Sequence, residues 1–255
     1  MNERKKIIEV KDLKKQYGDF IAVKGISFDV YDGEIFGLLG PNGAGKTTTL
    51  EIMETLRDKT SGEVLINGYN VDKQRQEIKQ IIGVQLQAAG YYPNLTLLEL
   101  LDLFSGLYNR TIDKMEMLGR VGLKDKAKSK HKELSGGQKQ RFSIATTLIN
   151  DPKIIFLDEP TTGLDPQARR NLWDLIRDIR DRGKTVVITT HYMDEAENLC
   201  ERVGVMESGK IIALDTPDKL IDNLIEKGFE RQKEVKKANL EDVFLALTGK
   251  ELREE

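Results

Sequence analysis

The chain has 255 residues, 39% of them hydrophobic, and a formal net charge of −2 with both signs mixed along its length. This length and composition allow one large domain with a sizeable core and a small addition. The balanced charge gives no electrostatic footprint for nucleic acid, so no nucleic-acid partner is expected. One cysteine, Cys200, and two histidines, His131 and His191, exclude an internal disulfide and a zinc cluster.

The apolar stretches of the sequence are short. Ile154 to Leu157 and Val186 to Ile188 are examples, whereas a membrane-spanning helix needs about 18 apolar residues. The first residues, Met1 to Lys6, are charged and show no apolar signal-peptide core. We therefore expect a chain that does not cross the membrane and stays in the cytoplasm.

In chain order, the sequence first predicts an antiparallel β region from Ile7 to Leu39. Within it, Ile26, Phe28 and Val30 alternate with polar residues, as in a half-buried strand. The dipeptide Asp32-Gly33 has the composition of a hairpin turn. An antiparallel β piece is thus expected to open the protein.

Helices and buried strands follow. Apolar residues recur at spacings of three and four between about 92 and 123, which predicts a mostly helical insertion. The β-branched runs Ile154–Asp158 and Thr185–Thr189 predict buried strands on either side of a helix at Arg169–Arg182. This alternation is typical of a parallel sheet covered by helices.

We assign residues 1–216 to one domain, with its helical part at about 92–150. Residues 217–255 are Lys- and Glu-rich and are assigned to a C-terminal helical appendage. Its last predicted helix runs from Asn239 to Thr248, with an apolar face and Gly249 as its C-terminal stop.

The strongest motif lies between the predicted strand Ile35–Leu39 and a helix predicted from Thr47 to Leu56. It fits the pattern G-x-x-x-x-G-K-[ST], in which backbone N–H groups curl around a phosphate. Lys46 would bring a charge to the β- and γ-phosphates, and Thr47 a hydroxyl to Mg²⁺. The residues predicted to bind the nucleotide here are Gly40, Pro41, Asn42, Gly43, Ala44, Gly45, Lys46, Thr47 and Thr48.

Two acids follow the buried strand at 154–157. Asp158 would hold Mg²⁺ through water, and Glu159 would polarise the attacking water. Ligands of open α/β sheets lie at this carboxyl end of the strands. In isolation, paired acids at a strand end are equally well explained by a solvated edge or a helix cap.

The segment Leu134-Ser135-Gly136-Gly137-Gln138 contains a capping box, because Ser135 and Gln138 have the S-x-x-Q spacing of a helix start. Such a start is also a good anion site. Together with the phosphate loop and Asp158-Glu159, this LSGGQ sequence resembles the signature of the ABC ATPase family.

The resemblance covers roughly residues 7–215. It implies an α/β fold, a P-loop NTPase ABC cassette with a RecA-like parallel-sheet core, an N-terminal antiparallel β subdomain and a helical subdomain. The residues after 216 would be the short C-terminal helical appendage. ATP hydrolysis, with ATP and Mg²⁺ as cofactors, is the implied activity.

The resemblance also implies contacts made by a pair of cassettes. Tyr17 would stack on adenine, although packing explains a lone tyrosine in a hairpin as well. Asp165 would lie at the cassette interface, although a helix N-cap before Pro166 also explains it. The residues implied to contact the partner cassette's nucleotide are Ser135, Gly136, Gly137 and Gln138.

Two further residues are implied in hydrolysis. Gln87 resembles the Q-loop glutamine that touches Mg²⁺ and the attacking water, but the sequence Gln85-Leu86-Gln87 lacks the usual preceding proline, so Gln85 is an alternative. His191, after a predicted strand, resembles the switch histidine that contacts the γ-phosphate. The implied catalytic residues are Glu159, His191 and Gln87, and the implied Mg²⁺ ligands are Thr47, Gln87 and Asp158.

The segments His191–Glu197 and Ala238–Gly249 resemble the branch of the family that serves multidrug, antibiotic and lipid exporters. An apolar helix that merely packs on the cassette is the other explanation of the second segment. The implied partners are a membrane-spanning permease subunit and a second cassette, identical or related. The chain would then be peripheral on the cytoplasmic face of the cell membrane.

Three other functions are alternatives for a chain with these motifs. A soluble ABC-type ATPase that acts on ribosomes or DNA shares this chemistry, but it generally has tandem cassettes or a long coiled-coil insertion. A scaffold that binds ATP without hydrolysis would have no need of Glu159. A GTPase would need an N-K-x-D element, which the sequence lacks.

Overall fold

The computed structural model describes residues 4–85 and 90–226. Its strands, in chain order, are β1 (Lys6–Tyr17), β2 (Phe20–Tyr31), β3 (Ile35–Leu39), β4 (Ser61–Ile66), β5 (Tyr69–Asn70), β6 (Ile82–Gln85), β7 (Ile154–Asp158), β8 (Thr185–Thr190), β9 (Arg202–Glu207) and β10 (Lys210–Asp215). Its helices are α1 (Lys46–Met53), α2 (Arg75–Ile81), α3 (Leu97–Leu107), α4 (Lys114–Arg120), α5 (Gly136–Thr147), α6 (Pro166–Asp181), α7 (Met193–Leu199) and α8 (Pro217–Glu226).

The described strands form two sheets. The first has the order β2-β1-β4-β5 and is antiparallel throughout. The second has the order β10-β9-β3-β8-β7-β6, in which every pair is parallel except β10 with β9. The predicted combination of an antiparallel β piece with a helix-covered parallel sheet is confirmed.

The core consists of two hydrophobic clusters on opposite faces of the parallel sheet. Residues of β3 alternate between them: Phe36 and Leu38 face α1, α2 and the antiparallel sheet, whereas Ile35 and Leu39 face α3 to α7. Because successive side chains of a strand point to opposite faces, a strand buried on both sides is apolar throughout. Phe36 also stacks on Phe28 of β2, with 5.3 Å between ring centroids, which ties the two sheets together.

The predicted hairpin at Asp32-Gly33 is wrong. β2 pairs with β1, whereas β3 pairs with β8 and β9 in the other sheet, and the turn between β1 and β2 lies at Gly18-Asp19. Gly33 has a φ of 77°, and its N–H donates to Oγ1 of Thr185 at 2.9 Å. This turn therefore carries the chain from the antiparallel sheet to the parallel sheet.

The helix after the phosphate loop is shorter than predicted. It ends at Met53 rather than at Leu56. Thr55 has a φ of 62°, a left-handed conformation that cannot continue a right-handed helix.

The described residues up to Leu220 form one compact unit, and a second unit begins at Ile221. Within the second unit the structure describes residues 221–226, which are helical. The predicted helix Asn239–Thr248 lies outside the described residues, and our boundary between residues 216 and 217 stays a prediction. No helix in residues 4–85 and 90–226 has both the length and the hydrophobicity needed to span a membrane.

Candidate active site

The turn between β3 and α1 forms a backbone cradle. A Cβ atom added at Gly40 would lie 2.2 Å from the carbonyl oxygen of Met206, so only glycine fits there. Gly43 has a φ of 81°, and a Cβ added there would meet open space. No side chain caps α1 at Gly45, which leaves the N–H groups of its first turn to bind an anion.

Lys46 is held inside this cradle and is 4% exposed. Its Nζ donates to the carbonyl oxygens of Gly40 at 2.9 Å and Pro41 at 3.1 Å. The same Nζ lies 3.4 Å from Oε1 of Glu159. The ammonium group is therefore placed between the phosphate loop and the predicted catalytic carboxylate.

Thr47 and Asp158 meet across the start of α1 and the end of β7. The Oγ1 of Thr47 donates to the Asp158 carboxylate, with 3.2 Å to each of its oxygens. Thr189, at the neighbouring end of β8, also donates its hydroxyl to Oδ1 of Asp158. Burial raises the pKa of Asp158, and the hydroxyl groups of Thr189 and Thr47 oppose this increase.

This arrangement fits Mg²⁺. The ion prefers oxygen ligands, and it typically binds to one or two protein oxygens together with substrate phosphates and water. The hydroxyl of Thr47 and the carboxylate of Asp158 already face each other beside the phosphate cradle.

Glu159 follows β7 directly and has a φ of 46°, an uncommon conformation for a residue other than glycine. Its N–H donates to Thr189, at 3.2 Å to the carbonyl oxygen and 3.0 Å to Oγ1. Its side chain is 9% exposed, and Oε2 accepts from Thr162 Oγ1 at 3.3 Å. Backbone strain that the surrounding structure maintains is common at functional sites.

His191 lies at the carboxyl end of β8, as the sequence predicts. Its Nδ1 is 3.2 Å from Oε2 of Glu159. The turn that carries it is fixed by Thr190, whose Oγ1 accepts from the N–H of Tyr192 at 3.0 Å. The strands β3, β7 and β8 are neighbours, and their carboxyl ends lie on the same side of the sheet. The residues at or just after these ends, Lys46, Asp158, Glu159 and His191, therefore lie together.

Tyr17 lies at the end of β1, and 38% of its surface is exposed. The guanidinium of Arg57 lies 5.4 Å from the centre of its ring, and Nζ of Lys15 lies 4.8 Å away. Arg57 is itself bound to Glu51 of α1. This half-exposed ring could stack on a base next to the phosphate-loop helix.

The signature segment begins α5, and the predicted capping box is present. Ser135 Oγ accepts from the N–H of Gln138 at 3.3 Å, and Gln138 Oε1 accepts from the N–H of Ser135 at 3.0 Å. A Cβ atom at Gly137 would lie 3.1 Å from that of Ala168, so close packing on α6 favours glycine. Ser135 and Gly136 are exposed.

No hydrogen bond or ion pair among residues 4–85 and 90–226 links the Ser135–Gln138 segment to the group around Lys46 and Glu159. Within the described residues, the polar groups of the signature helix start are therefore not engaged by the hydrolytic residues of their own chain.

Asp165 is the N-cap of α6. Its carboxylate accepts from the N–H of Ala168 at 2.6 Å, and Pro166 occupies the first helical position. The structural explanation of this residue is confirmed, and a role at a cassette interface stays a prediction.

Gln87 lies outside the described residues. The alternative, Gln85, is the last residue of β6, where it pairs with Leu157 of β7. It is 3% exposed, and its Oε1 has no hydrogen-bond partner within the part of the chain that the structure describes.

Two residues of the site were not predicted. Thr189 binds both Asp158 and the N–H of Glu159, and Glu195 is a fully buried acid on α7. A signal for Thr189 was present, because two threonines end an otherwise apolar strand immediately before His191. Glu195 had no comparable signal, since its burial depends on tertiary packing.

The family model described as "ABC transporter" matches residues 23–162. The Nod factor export ATP-binding protein I of Burkholderia orbicola (strain AU 1054) is 37% identical over 299 residues, with 97% of this chain and 98% of that protein covered. The linearmycin resistance ATP-binding protein LnrL of Bacillus subtilis (strain 168) is 40% identical over 223 residues, with 86% of this chain and 72% of that protein covered.

A solved structure is similar as well. It is an ATP-binding cassette in a dimeric post-hydrolysis state bound to ADP and Pi. It superimposes with a TM-score of 0.72 and 30% sequence identity, over 82% of this chain and 98% of that one.

Proposed function

The chain belongs to the ABC transporter family as an ATP-binding, ATP-hydrolysing subunit, and on this basis we propose that it powers export through a membrane-spanning partner protein. Two observations support export over uptake. The relatives described above are named for Nod factor export and for linearmycin resistance. The segment His191–Glu197 also resembles that branch of the family.

The observation that carries the catalytic assignment is the position of Glu159. Its carboxylate oxygens lie 3.4 Å from Nζ of Lys46 and 3.2 Å from Nδ1 of His191. A base must reach its proton, directly or through one water, and its neighbours must hold the phosphate that is attacked. In this proposal Lys46 binds the β- and γ-phosphates, His191 contacts the γ-phosphate and Glu159 accepts a proton from water.

Among the described residues, the proposed Mg²⁺ ligands are Thr47 and Asp158. Gln87, which lies outside the described residues, is the third proposed ligand. The bound ion would neutralise charge on the phosphates. Thr189 keeps the Asp158 carboxylate in place through its hydroxyl. The same threonine accepts the N–H of Glu159, so the ligand and the base are fixed by one side chain.

We further propose that two cassettes enclose ATP between the Lys46 loop of one and the Ser135 helix start of the other. The exposed start of α5, whose polar groups are not engaged by the described hydrolytic residues of its own chain, supports this arrangement. A helix start with N–H groups facing outwards is a suitable site for a γ-phosphate. The similar cassette that was solved as a dimer supports it further.

The variant Glu159→Gln tests the catalytic assignment. It should bind ATP with nearly unchanged affinity and lose about 10²- to 10⁴-fold in turnover, the usual contribution of a general base. Glu197→Gln, an exposed residue of α7, is the matched control and should hydrolyse ATP normally. Normal hydrolysis by Glu159→Gln would show that Glu159 is not the catalytic base.

Export can be tested separately in cells that carry the chain and its membrane partner. Replacement of the wild-type chain by Glu159→Gln should increase sensitivity to the exported class of compounds and raise their intracellular amount. A fall in the intracellular amount would instead indicate uptake.

A further inference from the structure

A buried carboxyl group connects the elements that carry the hydrolytic residues. Glu195, on α7, has no exposed surface, and its Oε1 accepts from Nε1 of Trp173 at 3.0 Å. No cation in the described part of the chain forms an ion pair with it. Fully buried, unpaired acids are rare because burying the charge is costly.

Two threonine hydroxyls lie beside this carboxyl group. Burial raises the pKa of Glu195, and the hydroxyls of Thr190 and Thr161, with the indole of Trp173, oppose this increase. A hydroxyl group beside a carboxyl group favours its charged form. The carboxyl group is thus surrounded by donors from three different segments.

Each of these segments leads to the hydrolytic site. Thr190 immediately precedes His191 and fixes its turn, and its carbonyl oxygen accepts the N–H of Gly40 at 3.2 Å. Thr161 lies two residues after Glu159 and has no exposed surface. Trp173 lies on α6, the helix that Asp165 caps.

The Thr161 hydroxyl lies close enough to the Glu195 carboxyl group to lower its pKa, but the pair does not have full hydrogen-bond geometry. Oε2 of Glu195 and Oγ1 of Thr161 are both buried, and neither has a hydrogen-bond partner among residues 4–85 and 90–226. Two such atoms side by side are costly, since a buried polar atom without a partner loses its hydration and gains nothing in return. A small shift of the loop after Glu159 would allow the hydroxyl to donate to the carboxylate.

We propose that Glu195 is a positioning residue for ATP hydrolysis, which sets the separation of the Glu159 and His191 loops by holding Thr161, Thr190 and Trp173 around one carboxylate. The inference rests on the proposed roles of Glu159 and His191. A carboxylate suits this task because it accepts from several donors at once, whereas an amide of the same shape has one acceptor oxygen. Glu195 does not touch the nucleotide in this account.

The test is steady-state ATP hydrolysis by Glu195→Gln. The turnover number should fall at least about tenfold and the KM for ATP should stay within about twofold, because small displacements of reacting groups cost up to about 100-fold. The Thr161→Val variant should show the same pattern. The double variant should lose little more than either single variant, because both changes remove the same pairing of a hydroxyl group with a carboxyl group.

Two controls separate positioning from general stability. Ile176→Val removes a methylene group from the buried face of α6, the helix of Trp173, and should lower the melting temperature while turnover is kept. Glu197→Gln changes an exposed glutamate of α7 and should behave like the wild type. If Glu195→Gln lost no more turnover than Ile176→Val, the inference would be wrong.

If Glu195→Gln does not fold, Thr161→Val decides the question, because a valine has nearly the shape of threonine. A selective loss of turnover supports the inference, and unchanged turnover overturns it. Glu159→Gln distinguishes this result from a failure of the catalytic assignment. If Glu159→Gln hydrolyses ATP normally, the catalytic assignment of Glu159 is wrong. If Glu159→Gln is inactive and Thr161→Val hydrolyses ATP normally, only the proposed role of Glu195 is wrong.

Discussion

The ammonium group of Lys46 lies 3.4 Å from the carboxylate of Glu159, and both side chains are almost completely buried. The phosphate loop and the end of β7 are thereby linked through opposite charges in a region shielded from water. Electrostatic interactions are stronger in such a region than at the surface. A nucleotide phosphate at the cradle would bring a third charge to this pair.

The first prediction concerns this pair. Lys46→Ala should abolish ATP binding or turnover, since the phosphates lose their point charge and Glu159 loses its nearest cation. Binding can be measured by titration calorimetry. Lys219→Ala, which removes an exposed lysine paired with Asp215, is the control and should bind ATP like the wild type. Unchanged affinity together with unchanged turnover in an ATPase assay of Lys46→Ala would contradict the proposed phosphate site.

The second prediction concerns Thr189. Thr189→Val removes the donor to Asp158 and the acceptor for the Glu159 N–H together. Hydrogen bonds to charged groups contribute about 1.5–3 kcal/mol, so stability should fall by about that amount and turnover should fall with it. Thr189→Ser keeps the hydroxyl and should retain most of both. Denaturant unfolding and ATPase assays measure the two effects, and equal behaviour of the two variants would show that the hydroxyl has no role.

The third prediction uses the buried acid at the end of the phosphate-loop helix. Burial, with the nearby charges of Asp158 and Glu51, raises the pKa of Glu54 to about 8. The folded protein therefore holds a proton that the unfolded chain releases above its ordinary pKa of 4.5. Stability is lost as the pH rises from about 4.5 to about 8, by up to a few kcal/mol.

Glu54→Gln removes this dependence. Its stability relative to the wild type should therefore increase between pH 5 and pH 8, in the absence of nucleotide. Urea unfolding at a series of pH values measures the free energy of unfolding of both proteins. The contributions of the other titrating groups are the same in both and cancel in the difference. A difference that does not change with pH would show that Glu54 titrates normally.

The fourth prediction concerns Tyr17. Tyr17→Ala should raise the KM for ATP about tenfold and leave the turnover number nearly unchanged, because stacking of a base is worth about 1–3 kcal/mol. Tyr17→Phe keeps the ring and should match the wild type. GTP should be affected like ATP, since every base has a face that can stack. An effect on turnover alone would place Tyr17 outside the base site.

Much of the site could be predicted because its residues have fixed spacings with direct physical causes. A glycine-rich turn between a strand and a helix, and two acids at the end of a buried strand, each predict a position in the sheet. Lys46, Asp158, Glu159 and His191 lie together because neighbouring parallel strands end on the same side.

The errors and omissions have physical reasons too. Asp32-Gly33 was predicted as a hairpin because a turn signal shows that the chain turns, but not which sheet the next strand joins. Glu54 and Glu195 could not be recognised as buried, since nothing local distinguishes them from exposed glutamates. The grouping of Glu195 with Thr161, Thr190 and Trp173 depends on segments that are distant in sequence.

ATP should close two copies of this cassette over their nucleotides, and light scattering of the Glu159→Gln protein, with and without MgATP, measures this closure as a molecular mass. The mass should change from that of a monomer to that of a dimer on addition of MgATP. The change should be absent in a Glu159→Gln protein that also carries Ser135→Arg, because the arginine would obstruct the partner's nucleotide. A mass that does not change with MgATP would contradict closure between two copies of this chain.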